Sequence, residues 1–169
     1  MGAWTAPLLV ASALLAVAGA PKVLAPVNTV GALRSVGVRA PAVSVRLFGA
    51  VEAALGVVTL LTGARPLAAL VALSYAGFSG FLVVALRTGG AGSTCGCVGR
   101  ADTPPTRSHL AVTSMLAVTS LVAAISGADG LSTMSWSVTT ITALAFAALG
   151  GWLVWLVFTA LPHLVPKES

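Results

Sequence analysis

The sequence predicts an all-α, polytopic membrane protein with about five transmembrane helices and one short interfacial helix. Of its 169 residues, 57% are hydrophobic and only 8% are charged, whereas about 25% of the residues in a soluble domain are charged. The apolar residues also form long segments separated by short polar links, and about 20 mostly apolar residues cross a bilayer core. We therefore expect one membrane domain over residues 1–169.

Five apolar segments have the length and composition of membrane-spanning helices. Pro41 precedes the second and Pro66 begins the third, which suits the first turn of a helix because the N–H that proline lacks is not needed there. The fourth segment is rather short, and the fifth is long enough to be tilted. The predicted spans are residues 5–24, 42–61, 66–86, 109–125 and 138–161.

The link APVNTVGALRSVGV between the first two spans predicts the short interfacial helix. Asn28 or Thr29 is a suitable N-cap residue. Val30, Leu33 and Val36–Val38 would then lie on one side of the helix.

Small residues at helical spacing predict where the spans pack, because helices in lipid associate through close backbone approach. Gly49, Ala53 and Gly56 share one face of the second span. Gly77 and Gly80 in the third span have a similar spacing. We expect helix–helix contacts at both places.

Both cysteines of the chain, Cys95 and Cys97, lie in a polar loop over residues 88–106 that contains GGAGSTCGCVGR. A disulfide between them would close too small a ring to stabilise the fold appreciably. Gly96 permits the backbone bend that such a ring needs, and the strained bond would exchange readily. Arg100 would favour the reactive thiolate. We favour a redox-active pair, with a metal or cofactor ligand and an incidental pair as alternatives.

Arg107 and His109 follow the loop at the beginning of the fourth span. His109 could act as a base for a thiol, but a residue at the membrane interface is the simpler interpretation. Two sulfurs and His109 give three ligands at most, in a spacing that is not typical of zinc sites. No metal site is therefore predicted.

Charged residues within the spans form a second candidate site. Glu52 follows Pro41 by eleven residues, which is about 16 Å along a helix and close to the middle of the bilayer. Lys22 ends the first span, and Arg46 lies in the second span towards the same side. Charges in a membrane usually pair. The alternatives are an ion pair of Glu52 with Lys22 or Arg46, and a proton-carrying carboxylate beside a redox site.

The distribution of Lys and Arg predicts an orientation. These residues stand singly at segment ends, not in runs, so nucleic acid is not an expected partner. All of them except Arg65 fall on the side of the cysteine loop. The positive-inside rule therefore predicts that this loop is cytoplasmic.

Three elements together resemble the MauE branch of the MauE/DoxX family of membrane proteins. They are AGAPKVL at the end of the first span, a glutamate in the second, and CGCVG after the third. The chain departs from the family pattern at Val98, where phenylalanine is usual, and at Ser108, where asparagine is common after Arg107. The residues that match the motif positions are Lys22, Glu52, Cys95, Cys97 and Gly99.

The resemblance implies a multi-pass protein of the plasma (inner) membrane that takes part in thiol–disulfide chemistry. MauE acts with a thioredoxin-like partner in maturation of the disulfide-rich small subunit of methylamine dehydrogenase, and DoxD relatives are linked to electron transfer into quinone. We therefore expect a candidate thiol–disulfide oxidoreductase with a thioredoxin-like partner, a client protein that needs disulfides, and quinone as a cofactor that is not covalently bound.

The sequence leaves two questions open. Disulfide delivery belongs outside the cytoplasm, whereas the charge distribution places the loop inside. The function also has two alternatives, a non-catalytic scaffold for assembly and a small transporter that uses Glu52 and Lys22.

Overall fold

The computed structural model of the protein describes residues 2–88, 106–135 and 137–159, and every regular element in these residues is an α-helix. The all-α fold class is therefore confirmed. The helices in chain order are α1 (Thr5–Leu24), α2 (Pro26–Ser35), α3 (Ala42–Thr62), α4 (Arg65–Arg87), α5 (Arg107–Ser126) and α6 (Val138–Thr159).

Four of the described helices, α1, α3, α4 and α5, are long and apolar enough to cross a membrane. The apolar stretch of α6, Thr140–Val154, is shorter. Large apolar side chains cover the outside of the bundle; Leu73 and Ile125, for example, are 67% and 71% exposed. Lipid solvates such a surface, so the chain is a multi-pass membrane protein.

The short helix between the first two spans is present, but it begins earlier than expected. Pro26 is its first residue, and Ala25 precedes it without a side-chain cap. Proline is favoured at this position because the first turn does not need the N–H that proline lacks. The expected N-cap at Asn28 or Thr29 is therefore wrong.

Glycines bring the backbones of α1 and α3 together. A Cβ atom on Gly56 would lie 2.5 Å from the backbone nitrogen of Ala16 and 2.6 Å from the carbonyl oxygen of Ser12. A Cβ atom on Gly19 would collide with the backbone of Gly49. These contacts confirm the predicted packing face of α3, and their order shows that α1 and α3 are antiparallel.

The glycines of α4 do not serve the same purpose. A Cβ atom on Gly77 or Gly80 would meet nothing within 4 Å. The prediction of a helix contact at these two residues is therefore wrong, because no neighbouring helix comes close to either of them.

Polar contacts join α4 to α1 and to α5. The hydroxyl of Tyr75 in α4 donates a 2.8 Å hydrogen bond to the carbonyl oxygen of Ala11 in α1. Ser79 in α4 donates to the hydroxyl of Thr113 in α5 at 3.0 Å. Around these bonds, Leu15, Ala11, Tyr75, Val71 and Leu116 form a buried cluster.

The two ends of the bundle differ. At one end, which we call the closed end, the beginning of α1 and the last turn of α3 contact the segment 127–133. Gly63 ends α3 with a φ of 63°, and a Cβ atom on Gly130 would collide with the carbonyl of Leu61. The backbone N–H and the hydroxyl of Ser132 both donate to that same carbonyl, at 3.0 and 2.6 Å.

The opposite end, which we call the open end, holds the last turn of α1, helix α2 and the beginning of α3. The two-residue turn between α3 and α4 makes them antiparallel, so α4 ends and α5 begins at the open end as well. Thr88 and Thr106, which border residues 89–105, therefore lie at this end.

Candidate functional site

A buried ion pair joins α1 and α3 near the open end. The ammonium nitrogen of Lys22 lies 2.5 Å from Oε2 of Glu52, and the two residues are only 3% and 1% exposed. A charge is tolerated at such a depth when an opposite charge compensates it. The predicted pair therefore forms with Lys22, whereas Arg46 is exposed.

The local sequence makes this contact possible. Lys22 lies in the last turn of α1, and its stem passes Gly49, one turn before Glu52 in α3. A Cβ atom on Gly49 would lie only 2.6 Å from the Cβ of Lys22. The absence of a side chain at Gly49 thus allows the lysine to reach inward to the carboxylate.

The second oxygen of the carboxylate has a different environment. Oε1 of Glu52 is buried, and no described residue forms a hydrogen bond with it. A carboxylate can accept about four hydrogen bonds through its two oxygens. One oxygen therefore holds Lys22, while the other is available to a proton or a further donor.

Two aromatic rings surround the ammonium group. Its nitrogen lies 4.6 Å from the ring centroid of Phe78 and 5.8 Å from that of Phe48. Both distances fall within the range of cation–π attraction. Sequence reasoning missed these two residues because a phenylalanine in an apolar helix carries no signal of its contact with a charge.

A cavity with a volume of about 700 Å³ lies beside the ion pair, between α2, α3 and α4. Lys22 forms part of its wall, while Phe48 and Leu73 at its edge are 51% and 67% exposed. Because these two residues lie on the outer faces of membrane-spanning helices, the cavity opens towards lipid. The other lining residues are Thr29, Ala32, Leu33, Ala40, Ser44, Val45, Ser74, Gly77, Phe78 and Phe81.

His109 caps the beginning of α5. Its backbone N–H donates to the hydroxyl oxygen of Thr106 at 3.2 Å, and the backbone N–H of Thr106 donates to Nδ1 of His109 at the same distance. This reciprocal arrangement satisfies backbone donors at the helix terminus. His109 is 4% exposed, so it is a buried capping residue, while Arg107 beside it is exposed.

The predicted thiol site lies outside the described residues. This applies to Cys95, Gly96, Cys97, Gly99 and Arg100, whose roles stay predictions. The described residues on either side of it, Thr88 and Thr106, lie at the open end together with Lys22. Within residues 2–88, 106–135 and 137–159, no group of three or more His, Cys, Asp or Glu could hold a metal ion.

The family model of methylamine utilisation protein MauE matches residues 1–128. The chain belongs to this family. The match covers α1 to α5, and with them the buried ion pair and both cysteines, which confirms the MauE resemblance; it does not extend to α6. No curated protein and no solved structure matches the chain.

Membership of the MauE family identifies a membrane protein associated with methylamine utilisation. The matched region contains every residue of the candidate site. The helix α6 and the end of the chain lie outside it, so the site and the family assignment belong to the same part of the molecule.

Proposed function

We propose that this MauE-family protein is a thiol–disulfide redox protein of the plasma membrane that assists maturation of a partner protein. The observation that carries the proposal is the arrangement of the open end. There, the ends of α4 and α5 that border the cysteine segment occur together with the buried pair of Lys22 and Glu52. The described residues that border the cysteine segment, Thr88 and Thr106, thus lie at the same end of the bundle as a polar centre inside the membrane, which supports a redox site at this end.

In the proposed reaction, the protein delivers oxidising equivalents to a thioredoxin-like partner. A thiolate of the partner attacks the disulfide between Cys95 and Cys97, and a mixed disulfide forms. A second thiolate of the partner resolves it, so that the partner leaves with a disulfide and this protein with a dithiol. The partner then transfers its disulfide to a client protein.

The dithiol must be oxidised again before the next cycle. We propose that a membrane quinone accepts its two electrons and two protons and leaves as quinol, while the bond between the cysteines re-forms. The paired carboxylate of Glu52 is suited to hold a proton during this step, because its Oε1 atom has no described hydrogen-bond partner.

The proposal requires that Cys95 and Cys97 face the outside of the cell, where disulfides persist. Thiol trapping in intact cells tests this requirement with a membrane-impermeant maleimide, applied before and after mild reduction. Labelling that appears only after reduction would support an external disulfide. Ready labelling without reduction, or labelling that requires opened cells, would contradict the proposal. The double variant Cys95→Ser/Cys97→Ser provides the background signal.

A non-catalytic assembly factor is the second candidate, and the buried ion pair favours it because Lys22 and Glu52 can join α1 to α3 without any chemistry. The two candidates differ in their need for thiols. If the double serine variant still supports partner maturation in cells, the protein is a scaffold. If maturation stops while the amount of the variant in the membrane is unchanged, the redox proposal is supported.

A further inference from the structure

We propose that the cavity between α2, α3 and α4 is the quinone site, and that the ammonium of Lys22 donates a hydrogen bond to a carbonyl oxygen of the quinone ring. This inference rests on the proposed redox function, because that function requires a lipid-soluble electron acceptor. It adds the place where the acceptor binds and the residues that hold it.

The first argument is access. The cavity opens between α3 and α4, where Phe48 and Leu73 are exposed on surfaces that face lipid. A ligand that enters there must be dissolved in the bilayer. The volume of about 700 Å³ lies in the range of about 300–1,000 Å³ that is typical of small-molecule sites, so it can hold a substituted ring and the beginning of an apolar tail.

The second argument is the polar group in the wall. The ammonium of Lys22 has three N–H donors. Oε2 of Glu52 accepts from it, and the hydrogen bonds among the described residues provide it with no other acceptor. Donors thus remain for a ligand, and a carbonyl oxygen is a suitable acceptor.

The third argument concerns charge. Because Glu52 compensates Lys22, the pair is neutral as a whole. An anionic lipid headgroup at Lys22 would bring a second negative charge close to the carboxylate in a medium of low dielectric constant, where repulsion is strong. A neutral ligand with carbonyl acceptors avoids this repulsion. The charge balance therefore favours a quinone over a phospholipid.

The fourth argument is the shape of the walls. Phe48, Phe78 and Phe81 line the cavity from two helices, and aromatic rings pack well against a flat ring in offset or edge-to-face geometry. Phe81 precedes Thr88 by seven residues, which is about 10 Å along α4. A quinone in this cavity would therefore lie at the same end of the bundle as Thr88 and Thr106, the described residues that border the cysteine segment.

Two glycines of α4 offer a test that leaves the ion pair intact. Gly77 lines the cavity and Gly80 does not, yet a Cβ atom on either residue would meet nothing within 4 Å. Gly77→Leu should fill the cavity without disturbing a helix contact. Gly80→Leu is the matched control, since it adds the same side chain to the same helix outside the cavity.

The experiment is photoaffinity labelling of the purified full-length protein in phosphatidylcholine nanodiscs with an azido-substituted decyl-benzoquinone. We expect labelled peptides from α3 and α4 that include Phe48 or Phe78. We also expect that unlabelled decyl-benzoquinone competes for labelling. Gly77→Leu should weaken the apparent affinity at least tenfold, while Gly80→Leu should leave it within about twofold of the unchanged protein.

Three results would overturn the inference: equal labelling of the two leucine variants, labelling confined to other helices, and loss of labelling when phosphatidylglycerol is added to the nanodiscs. The last would indicate an anionic lipid as the occupant.

The variant Cys95→Ser/Cys97→Ser separates this inference from the proposed function. If it binds the probe but the thiols prove dispensable in cells, the site stands and the redox function fails. If the thiols cycle in cells but the quinone probe does not label the protein, the redox function stands and the site fails.

Discussion

The closed and open ends of the bundle are held together by different kinds of interaction. At the closed end, backbone contacts backbone: Gly130 lies against Leu61, and the N–H of Leu131 donates to the carbonyl oxygen of Leu60 at 3.0 Å. Towards the open end, the ion pair of Lys22 and Glu52 adds a side-chain connection to the backbone contact of Gly19 with Gly49. Backbone contacts leave little free volume, whereas long side chains leave a cavity beside them.

This difference indicates how the molecule separates stability from function. Backbone packing at Gly63 and Gly130 fixes the distance between the end of α3 and the segment 127–133. The open end has buried charge and space for a ligand, both of which are suited to chemistry and costly to a fold. The closed end can therefore hold the bundle together while the open end carries the site.

The largest expected effect comes from breaking the ion pair. Lys22→Met leaves the carboxylate of Glu52 buried without its partner, and loss of one member of a buried pair costs about 3–5 kcal/mol. We expect a large fall in thermal stability, measured by unfolding of the purified protein in detergent.

A double variant is the control for this prediction. Lys22→Met with Glu52→Gln removes both charges, so it should recover most of the stability that the single variant loses. If the two variants are equally unstable, the loss does not come from an uncompensated carboxylate, and the cation–π contacts of the ammonium with Phe48 and Phe78 contribute more than its pairing with Glu52.

A moderate effect is expected at the closed end. Gly130→Ala places a methyl group against the carbonyl of Leu61, and overpacking of this kind typically costs about 1–3 kcal/mol. Gly80→Ala, which has open space, is the matched control and should not destabilise the protein. The same thermal unfolding measurement applies to both.

The variant Gly130→Ala also tests whether the closed end influences the cavity at the open end. If they are independent, it should lower stability without changing the affinity for the quinone probe. A weaker affinity in the folded variant would show that the closed end also shapes the cavity, and the separation of stability from function would be wrong.

The smallest effect is expected in the middle of the bundle, at Tyr75. Tyr75→Phe removes the hydroxyl that bonds to the carbonyl oxygen of Ala11 but keeps the ring and its edge-to-face contact with Phe78. The loss should be about 1 kcal/mol, as is usual for one hydrogen bond. A loss comparable to that of Lys22→Met would contradict the view that charge at the open end outweighs neutral polar contacts.

Much of the architecture could be predicted from the sequence because membrane proteins follow strong rules. Long apolar segments indicate spans, and a buried charge needs a partner, so Lys22 could be expected near Glu52. The spacing of Gly49 and Gly56 also predicted a packing face correctly.

The remaining features depend on how each helix is rotated and where it crosses its neighbours. Spacing shows that Gly77 and Gly80 share a side of α4, but it does not show what that side meets, which proved to be a cavity wall and open space. The contact between Gly63 and Gly130 joins residues 67 positions apart in the chain, and no local pattern specifies it. The roles of Cys95 and Cys97 stay predictions.

The pairing of Lys22 with Glu52 also has a consequence for biosynthesis. Lys22 is synthesised thirty residues before Glu52, so α1 is already available when α3 leaves the ribosome. An unpaired carboxylate near the middle of a span opposes membrane insertion by a few kcal/mol, and α1 supplies the opposite charge at the moment when it is needed. A chain whose first helix is lost or misplaced would present Glu52 to lipid without compensation, and membrane quality control could recognise it by that charge.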